Sequence, residues 1–196
     1  MDFYRAKNHL IKRLEEGLSP KHYYHGAYHS IDVIKAVEEI AAKEQVTGDD
    51  LIILKTAALY HDAGFLQQHA CNEPIACEIA RETLGEFGYD KRQIEIICRI
   101  IMATALPHNP KNILEDIICD ADLDYLGTDE ENYAKHSERL RCELAEFGLS
   151  MDNREWLEMQ IMFLESHHYF TKTNQLRRDP MKAVILKQLK EQLTQL

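Results

Sequence analysis

The stretch "LIILKTAALYHDAGF", residues 51–65, decides the fold class of this chain. Leu54 and Ala58 belong to an apolar stripe at helical spacing, and this stripe leads to His61. The pattern predicts a buried helix with His61 and Asp62 at its inner end. Ionisable groups at such a place are costly unless a partner or a metal ion satisfies them. An isolated His-Asp pair is a weak signal, because buried polar groups mostly form local hydrogen bonds.

Helical periodicity continues through nearly the whole chain, and the strict alternation that marks strands is almost absent. Only 8 Gly and 5 Pro interrupt it, and there is no low-complexity linker or internal repeat. The sequence therefore predicts an all-α fold, a compact helical bundle of about nine helices, in one domain over residues 1–196. The predicted helices cover about 2–16, 27–44, 49–62, 73–87, 91–104, 111–125, 130–147, 152–168 and 180–195.

Composition and charge argue against several classes of protein. The net charge of −10 disfavours binding to duplex nucleic acid, which requires a basic face, but it allows one small phosphorylated ligand. The five cysteines are odd in number and form no CxxC, so disulfide frameworks and thiolate zinc sites are poor interpretations. No stretch is apolar enough to span a membrane, and the N-terminus lacks a signal-peptide core. A soluble, cytoplasmic protein is expected.

Two further stretches place ionisable residues among apolar ones. In "YHGAYHSIDV", residues 24–33, His25 and His29 stand four apart, so both imidazoles can point into one pocket from one helical face. In "LEDIICDADLDYLG", residues 114–127, three aspartates are threaded through an apolar helix face. They would repel each other unless some are solvated or bound to a cation. The alternative interpretation is a helix cap followed by a solvated face.

These pieces together could supply two imidazoles and two carboxylates from three different helices. A nitrogen and oxygen ligand set without thiolate suits Mn, Mg, Fe, Co, Ni or Zn with open water positions. Helical bundles can present such ligands from facing helices. The sequence therefore predicts a site for a divalent metal ion.

The ordered motifs H…HD…D, in "YHGAYHSIDV", "AALYHDAGF" and "ICDADLDYLG", resemble the HD-domain metal-dependent phosphohydrolase superfamily. The resemblance covers about residues 20–175. About 30 residues separate the first histidine from the His-Asp pair, and about 60 more lead to the last aspartate. No single motif is decisive, but the ordered set in its apolar context is specific.

The resemblance implies a ligand set. His29 is the expected first metal ligand, and His61 and Asp62 are the second and third. Asp122 is favoured as the last ligand, because an aspartate followed by Leu in an Ala-Asp context resembles the family pattern. Asp120 is the alternative. The implied cofactor is one divalent metal ion per chain.

The resemblance also implies His25 and Asp62 as catalytic residues. His25 resembles the extra histidine that some HD phosphodiesterases place four residues before the metal histidine, as proton donor to the leaving oxygen. The alternative is a histidine that only holds a carboxylate. A bound ion would activate water near neutral pH, and a protonated His25 would serve as general acid.

One departure from the family concerns a second metal ion. Many HD proteins have a His-Glu pair about ten residues after the HD motif, and this chain has Asn72 and Glu73 there. The departure argues against a dinuclear centre, although His69 or Glu73 could hold a bridging water or the substrate. His108, in "TALPHNP", is interpreted as a loop histidine.

Recognition of a phosphate in this acidic chain should require cations. The segment "HHYFTKTNQLRRD", residues 167–179, concentrates basic side chains that include Lys172 and Arg177, and Arg141 is a further candidate. Together with Glu73, these are the predicted substrate-binding residues. The alternative is a solvated C-terminal surface with two aromatic anchors.

The sequence thus favours a metal-dependent phosphohydrolase that cleaves a phosphomonoester or phosphodiester. A nucleotide is the favoured substrate class. The expected partner is a small phosphorylated substrate, rather than duplex nucleic acid or a membrane. The amphipathic helix at 180–195 could pack on the core or on a second subunit, which would give a homodimer. The alternatives are a regulatory nucleotide-binding module without turnover and a di-iron oxygenase, which the missing histidine disfavours.

Overall fold

The computed structural model describes all 196 residues and is all-α, as predicted. It contains ten α-helices rather than about nine, because a short helix forms at Lys172–Arg177, where none was predicted. The helices are α1 (Phe3–Gly17), α2 (Ala27–Lys43), α3 (Gly48–Tyr60), α4 (Asn72–Thr83), α5 (Lys91–Met102), α6 (Ile113–Asp122), α7 (Glu130–Glu146), α8 (Asn153–Ser166), α9 (Lys172–Arg177) and α10 (Asp179–Leu193). Short 3-10 turns lie at Ala63–Leu66, Leu84–Phe87 and Asp124–Gly127. None of the helices has the length and apolar character needed to cross a membrane.

Helix α3 is the central helix of the fold. Leu54, Ala57, Ala58 and Leu59 are completely buried, so apolar side chains surround its circumference. It packs against α1, α2, α5 and α6, where burial of apolar surface stabilises the fold. The C-terminal end of α3 is therefore fixed in position against α2 and α6, which carry the other two motifs.

A smaller apolar cluster joins the C-terminal helices. It includes Leu126, Tyr133, Ile161 and Ile185. Helix α10 packs along α8 and against the 3-10 turn that follows α6. The C-terminal helix α10 therefore packs against other helices of the same chain.

The His-Asp motif lies just beyond α3 rather than within it. The helix ends at Tyr60, whereas the periodicity predicted an end at Asp62. Gly64 lies in the next 3-10 turn, where an added Cβ would stand 2.0 Å from the carbonyl oxygen of Asn72. The absence of a side chain at Gly64 therefore allows the start of α4 to pack closely against the His-Asp turn.

Candidate metal centre

Four side chains from three parts of the chain converge at one point. His29 lies on α2, His61 and Asp62 follow α3, and Asp122 is the last residue of α6. Asp122 Oδ1 lies 3.0 Å from His29 Nε2 and 3.2 Å from His61 Nε2. Asp62 Oδ2 lies 3.5 Å from His29 Nε2 and 3.2 Å from His61 Nε2. The structure thus brings together the four residues that were predicted as ligands, and we call them the metal cluster.

The His61 ring is oriented by the backbone of its own helix. Its Nδ1 lies 2.8 Å from the carbonyl oxygen of Ala58, so Nδ1 carries the proton and donates it. Nε2 therefore faces the two carboxylates. Metal-ligating histidines are commonly oriented by a hydrogen bond of this kind from the other ring nitrogen.

Two atoms at the centre of the metal cluster lie 3.2 Å apart but make no hydrogen bond of proper geometry. They are His61 Nε2 and Asp62 Oδ2, and both are buried. Buried polar atoms without partners cost free energy unless an ion or a ligand satisfies them. Burial opposes protonation of His61, but the charges of Asp62 and Asp122 raise its pKa well above the ordinary value. The cluster therefore attracts positive charge, and its nitrogen and oxygen atoms fit a divalent metal ion.

Asp120, the alternative to Asp122, has a different role in the structure. Its carboxylate accepts hydrogen bonds from the backbone N–H groups of Phe170 and Thr171, at 2.8 and 2.9 Å. It also accepts one from the Thr171 hydroxyl, at 2.6 Å. Asp120 is completely buried and fastens the segment before α9 to α6. Of the two aspartates, Asp122 is the one that faces the histidines.

His25 lies beside the metal cluster and is held by Glu143 of α7, which the sequence analysis did not single out. One oxygen of the completely buried Glu143 carboxylate accepts from His25 Nδ1. The other accepts from the backbone N–H groups of Tyr24 and His25, at 2.7 and 3.0 Å. Burial opposes ionisation of Glu143, but these bonds and the charge of His25 lower its pKa to about 2. Burial also opposes protonation of His25, while Asp62 and Glu143 raise the pKa of its imidazole.

A second group of potential ligands lies on the other side of His25. The ligand atoms of His22, His69 and Glu143 lie within 4.8 Å of one another. However, the Glu143 carboxylate already accepts the bonds from His25 and Tyr24, and His22 Nδ1 lies 3.2 Å from it. A carboxylate with all of these donors is a poor further metal ligand. The group is better explained as a hydrogen-bonded support for His25.

A cavity of about 400 Å³ opens from the metal cluster. Asp62, Asp122 and His25 line one end, together with Glu73, the predicted substrate-binding residue. Apolar side chains of α7 and α8 form a large share of the remaining lining. Ligand pockets in proteins commonly measure about 300–1,000 Å³, so this cavity suits a small ligand.

The three cations that were predicted to bind the substrate do not line this cavity. Arg141 donates a hydrogen bond to the Met151 carbonyl at 2.9 Å. Arg177 pairs with Glu39, with 2.6 Å between nitrogen and oxygen, and Lys172 is exposed at the start of α9. None of the three is therefore positioned to contact a ligand in this cavity, and their role in substrate binding stays a prediction. Clustered charges in a sequence do not reveal which cations already have partners within the fold.

Three further histidines lie in a neighbouring cavity of about 430 Å³. It is lined by His108, His167 and His168, and His108 stands outside any helix, as the sequence indicated. Nε2 of His108 and of His167 lack hydrogen-bond partners. These histidines are not among the groups whose ligand atoms converge.

The fold and the metal cluster define a class of protein. The family model of the HD domain matches residues 26–125, a range that includes all four residues of the cluster. The chain belongs to the HD-domain family, in agreement with the resemblance to HD-domain phosphohydrolases found in the sequence.

Two solved structures share this fold along nearly the whole chain. The crystal structure of Bacillus subtilis YpgQ in complex with ADP is similar to this chain with a TM-score of 0.66 and 18% sequence identity. The alignment covers 99% of this chain and 97% of the YpgQ chain. A second crystal structure of Bacillus subtilis YpgQ has a TM-score of 0.65, 19% identity and 98% coverage of both chains. No curated protein matches this sequence.

Proposed function

We propose that this protein is a metal-dependent phosphohydrolase that cleaves a phosphomonoester or a phosphodiester. The proposal rests on the convergence of His29, His61, Asp62 and Asp122 around two buried atoms that lack partners. These side chains would hold one divalent ion, of Mn, Mg, Fe, Co, Ni or Zn. When bound, such an ion lowers the pKa of a water molecule and polarises a phosphoryl oxygen.

His25 is the proposed general acid. It lines the cavity together with Asp62, whose negative charge helps to keep the imidazole protonated. Glu143 engages Nδ1, so Nε2 is the nitrogen that is free to donate a proton to the leaving oxygen. Glu143 is thus a positioning residue, because it acts on the substrate only through His25.

The proposed substrate is nucleotide-like, and Glu73 is the side chain from the predicted substrate-binding set that lines the cavity. Support for a nucleotide, irrespective of its number of phosphates, comes from the similarity in fold to YpgQ, whose crystal structure contains ADP. The packing of α10 against α8 supports one domain that comprises the whole chain.

The test is elemental analysis of the purified protein, followed by a screen of nucleotides and general phosphoesters with Mn, Mg, Co and Ni. We expect about one metal ion per chain and release of phosphate that depends on the added ion. Bound metal without turnover on any phosphoester would contradict the proposal and favour the regulatory nucleotide-binding module. Two iron atoms per chain would instead favour an oxygenase.

A further inference from the structure

The cavity that begins at the metal cluster ends in a chamber without charge. We define this apolar chamber by Leu126, Leu144, Trp156, Met159 and Phe163, which line the cavity from the 3-10 turn after α6 and from α7 and α8. The chamber is continuous with the end that holds Asp62 and His25. A ligand bound at the cluster would therefore extend into apolar surroundings.

No lysine or arginine lines this cavity. The ionisable side chains that do are Asp62, Asp122, Glu73, His25 and His69. Burial lowers the pKa of His69, so its imidazole is neutral near pH 7. His25, whether protonated or not, faces the ionised carboxylate of Glu143.

The formal charges limit how many phosphates the cavity can accept. A divalent ion would be balanced by the carboxylates of Asp62 and Asp122, which leaves no excess positive charge. One phosphate could still bind the ion and accept a hydrogen bond from His25. Each further phosphate would add negative charge without a lysine or arginine to receive it, and recognition of such groups ordinarily relies on those side chains.

We infer that the cavity selects a phosphoester with a single phosphate and an apolar or aromatic organic group, and that it disfavours diphosphates and triphosphates. The phosphate would lie at the metal cluster, and the organic group would lie in the apolar chamber. The inference rests on the proposed function for the identity of the polar group. It rests on the lining of the cavity for the selectivity.

The test is calorimetric titration of the Mn²⁺-loaded protein with two ligands that it cannot hydrolyse, phenylphosphonate and methylphosphonate. Burial of the phenyl ring should make phenylphosphonate bind about tenfold to hundredfold more tightly. Equal affinity for the two phosphonates, or no binding of either, would overturn the inference. On the slowed variant His25→Ala, AMP should also bind more tightly than α,β-methylene-ADP, and the reverse order would overturn the single-phosphate selectivity.

Two neighbouring methionines of α8 provide a matched pair of variants. Met159 lines the apolar chamber, whereas Met162 is 66% exposed and does not. Met159→Lys should remove most of the preference for phenylphosphonate, because it places a charge where the ring would bind. Met162→Lys should retain the preference. Met159→Trp, which narrows the chamber without adding charge, provides a second variant if the lysine prevents folding, and it should weaken phenylphosphonate binding more than methylphosphonate binding.

Failure of this inference is distinct from failure of the proposed function. Ring-dependent binding without hydrolysis of any phosphoester would refute the phosphohydrolase and retain the selectivity of the chamber. Hydrolysis together with equal binding of the two phosphonates would refute the selectivity and retain the phosphohydrolase.

Discussion

Asp120 and Asp122 stand two residues apart on α6, yet they serve different parts of the molecule. Asp120 accepts three hydrogen bonds from Phe170 and Thr171 and is completely buried. Asp122 lies beside His29 and lines the cavity. Residues two apart on a helix point about 200° away from each other, so Asp120 faces the segment before α9 and Asp122 faces the cavity and the histidines.

The two aspartates differ in what compensates their negative charge. Neutral donors from the chain itself surround Asp120 and tie α6 to the segment before α9, while burial raises the pKa of its carboxyl to about 6. Asp122 instead shares its surroundings with Asp62, so two carboxylates face the same imidazoles. A site of this second kind is suited to a cation, and the following experiments separate the two kinds.

The largest effect is expected for substitutions in the metal cluster. His61→Ala and Asp62→Ala should each abolish metal retention and phosphoester hydrolysis, because each removes a proposed ligand at the buried centre. Elemental analysis and turnover assays of the purified variants measure both properties. His9→Ala, at an exposed histidine of α1, is the control and should preserve them. Full activity in a variant without bound metal would refute the mechanism.

A smaller effect is expected at His25, outside the ligand set. His25→Ala should retain the metal but slow turnover by about 10²–10⁴-fold, the range typical of lost general acid catalysis. Steady-state kinetics and metal content of the same preparation test this prediction. If the variant loses its metal, His25 is itself a ligand. The roles of His25 and His29 would then have been assigned wrongly.

The different roles of Asp120 and Asp122 can be tested by measuring the stability of alanine variants. In metal-free protein, Asp120→Ala should lower the free energy of unfolding by about 3 kcal/mol, because it leaves buried donors unpaired. Asp122→Ala should cost about 1 kcal/mol or less under the same conditions. Urea denaturation in the presence of a chelator measures both. Equal losses would show that Asp122 is also a structural residue.

The smallest effect is expected at the cations that the sequence assigned to phosphate. Arg177→Ala removes an exposed ion pair with Glu39 and should change stability by about 0.5 kcal/mol or less. Turnover should remain within about twofold of the parent protein, since Arg177 does not line the cavity. A tenfold increase in KM would instead show that Arg177 contributes to substrate binding.

Much of the fold could be predicted from the sequence because the signals were local. The stripe that leads to His61 and the spacing of His29 each depend on helical periodicity over a few turns. The short helix at Lys172–Arg177 was missed because six residues are too few to show a period. The end of α3 was misplaced because the close packing between Gly64 and Asn72 depends on residues beyond the helix.

The finer parts of the site depend on contacts between distant residues. The sequence favoured Asp122 over Asp120 only through a family resemblance, because the donors that occupy Asp120 lie 50 and 51 residues further along the chain. Glu143 was missed because a single carboxylate in a charged helix carries no local sign of burial. The hydrogen bond from Arg141 to the Met151 carbonyl could not be predicted for a related reason, because a backbone partner is not visible in any sequence pattern.

The donors to Asp120 are 50 and 51 residues away in sequence, so they are synthesised much later than Asp120 itself. A chain that grows from its N-terminus contains all four residues of the metal cluster once residue 122 has been added. The segment that fixes α6 is added only with Phe170 and Thr171. The four residues of the candidate metal centre are therefore all present before the segment that fixes α6, and we expect their final geometry to form only once Thr171 has been added.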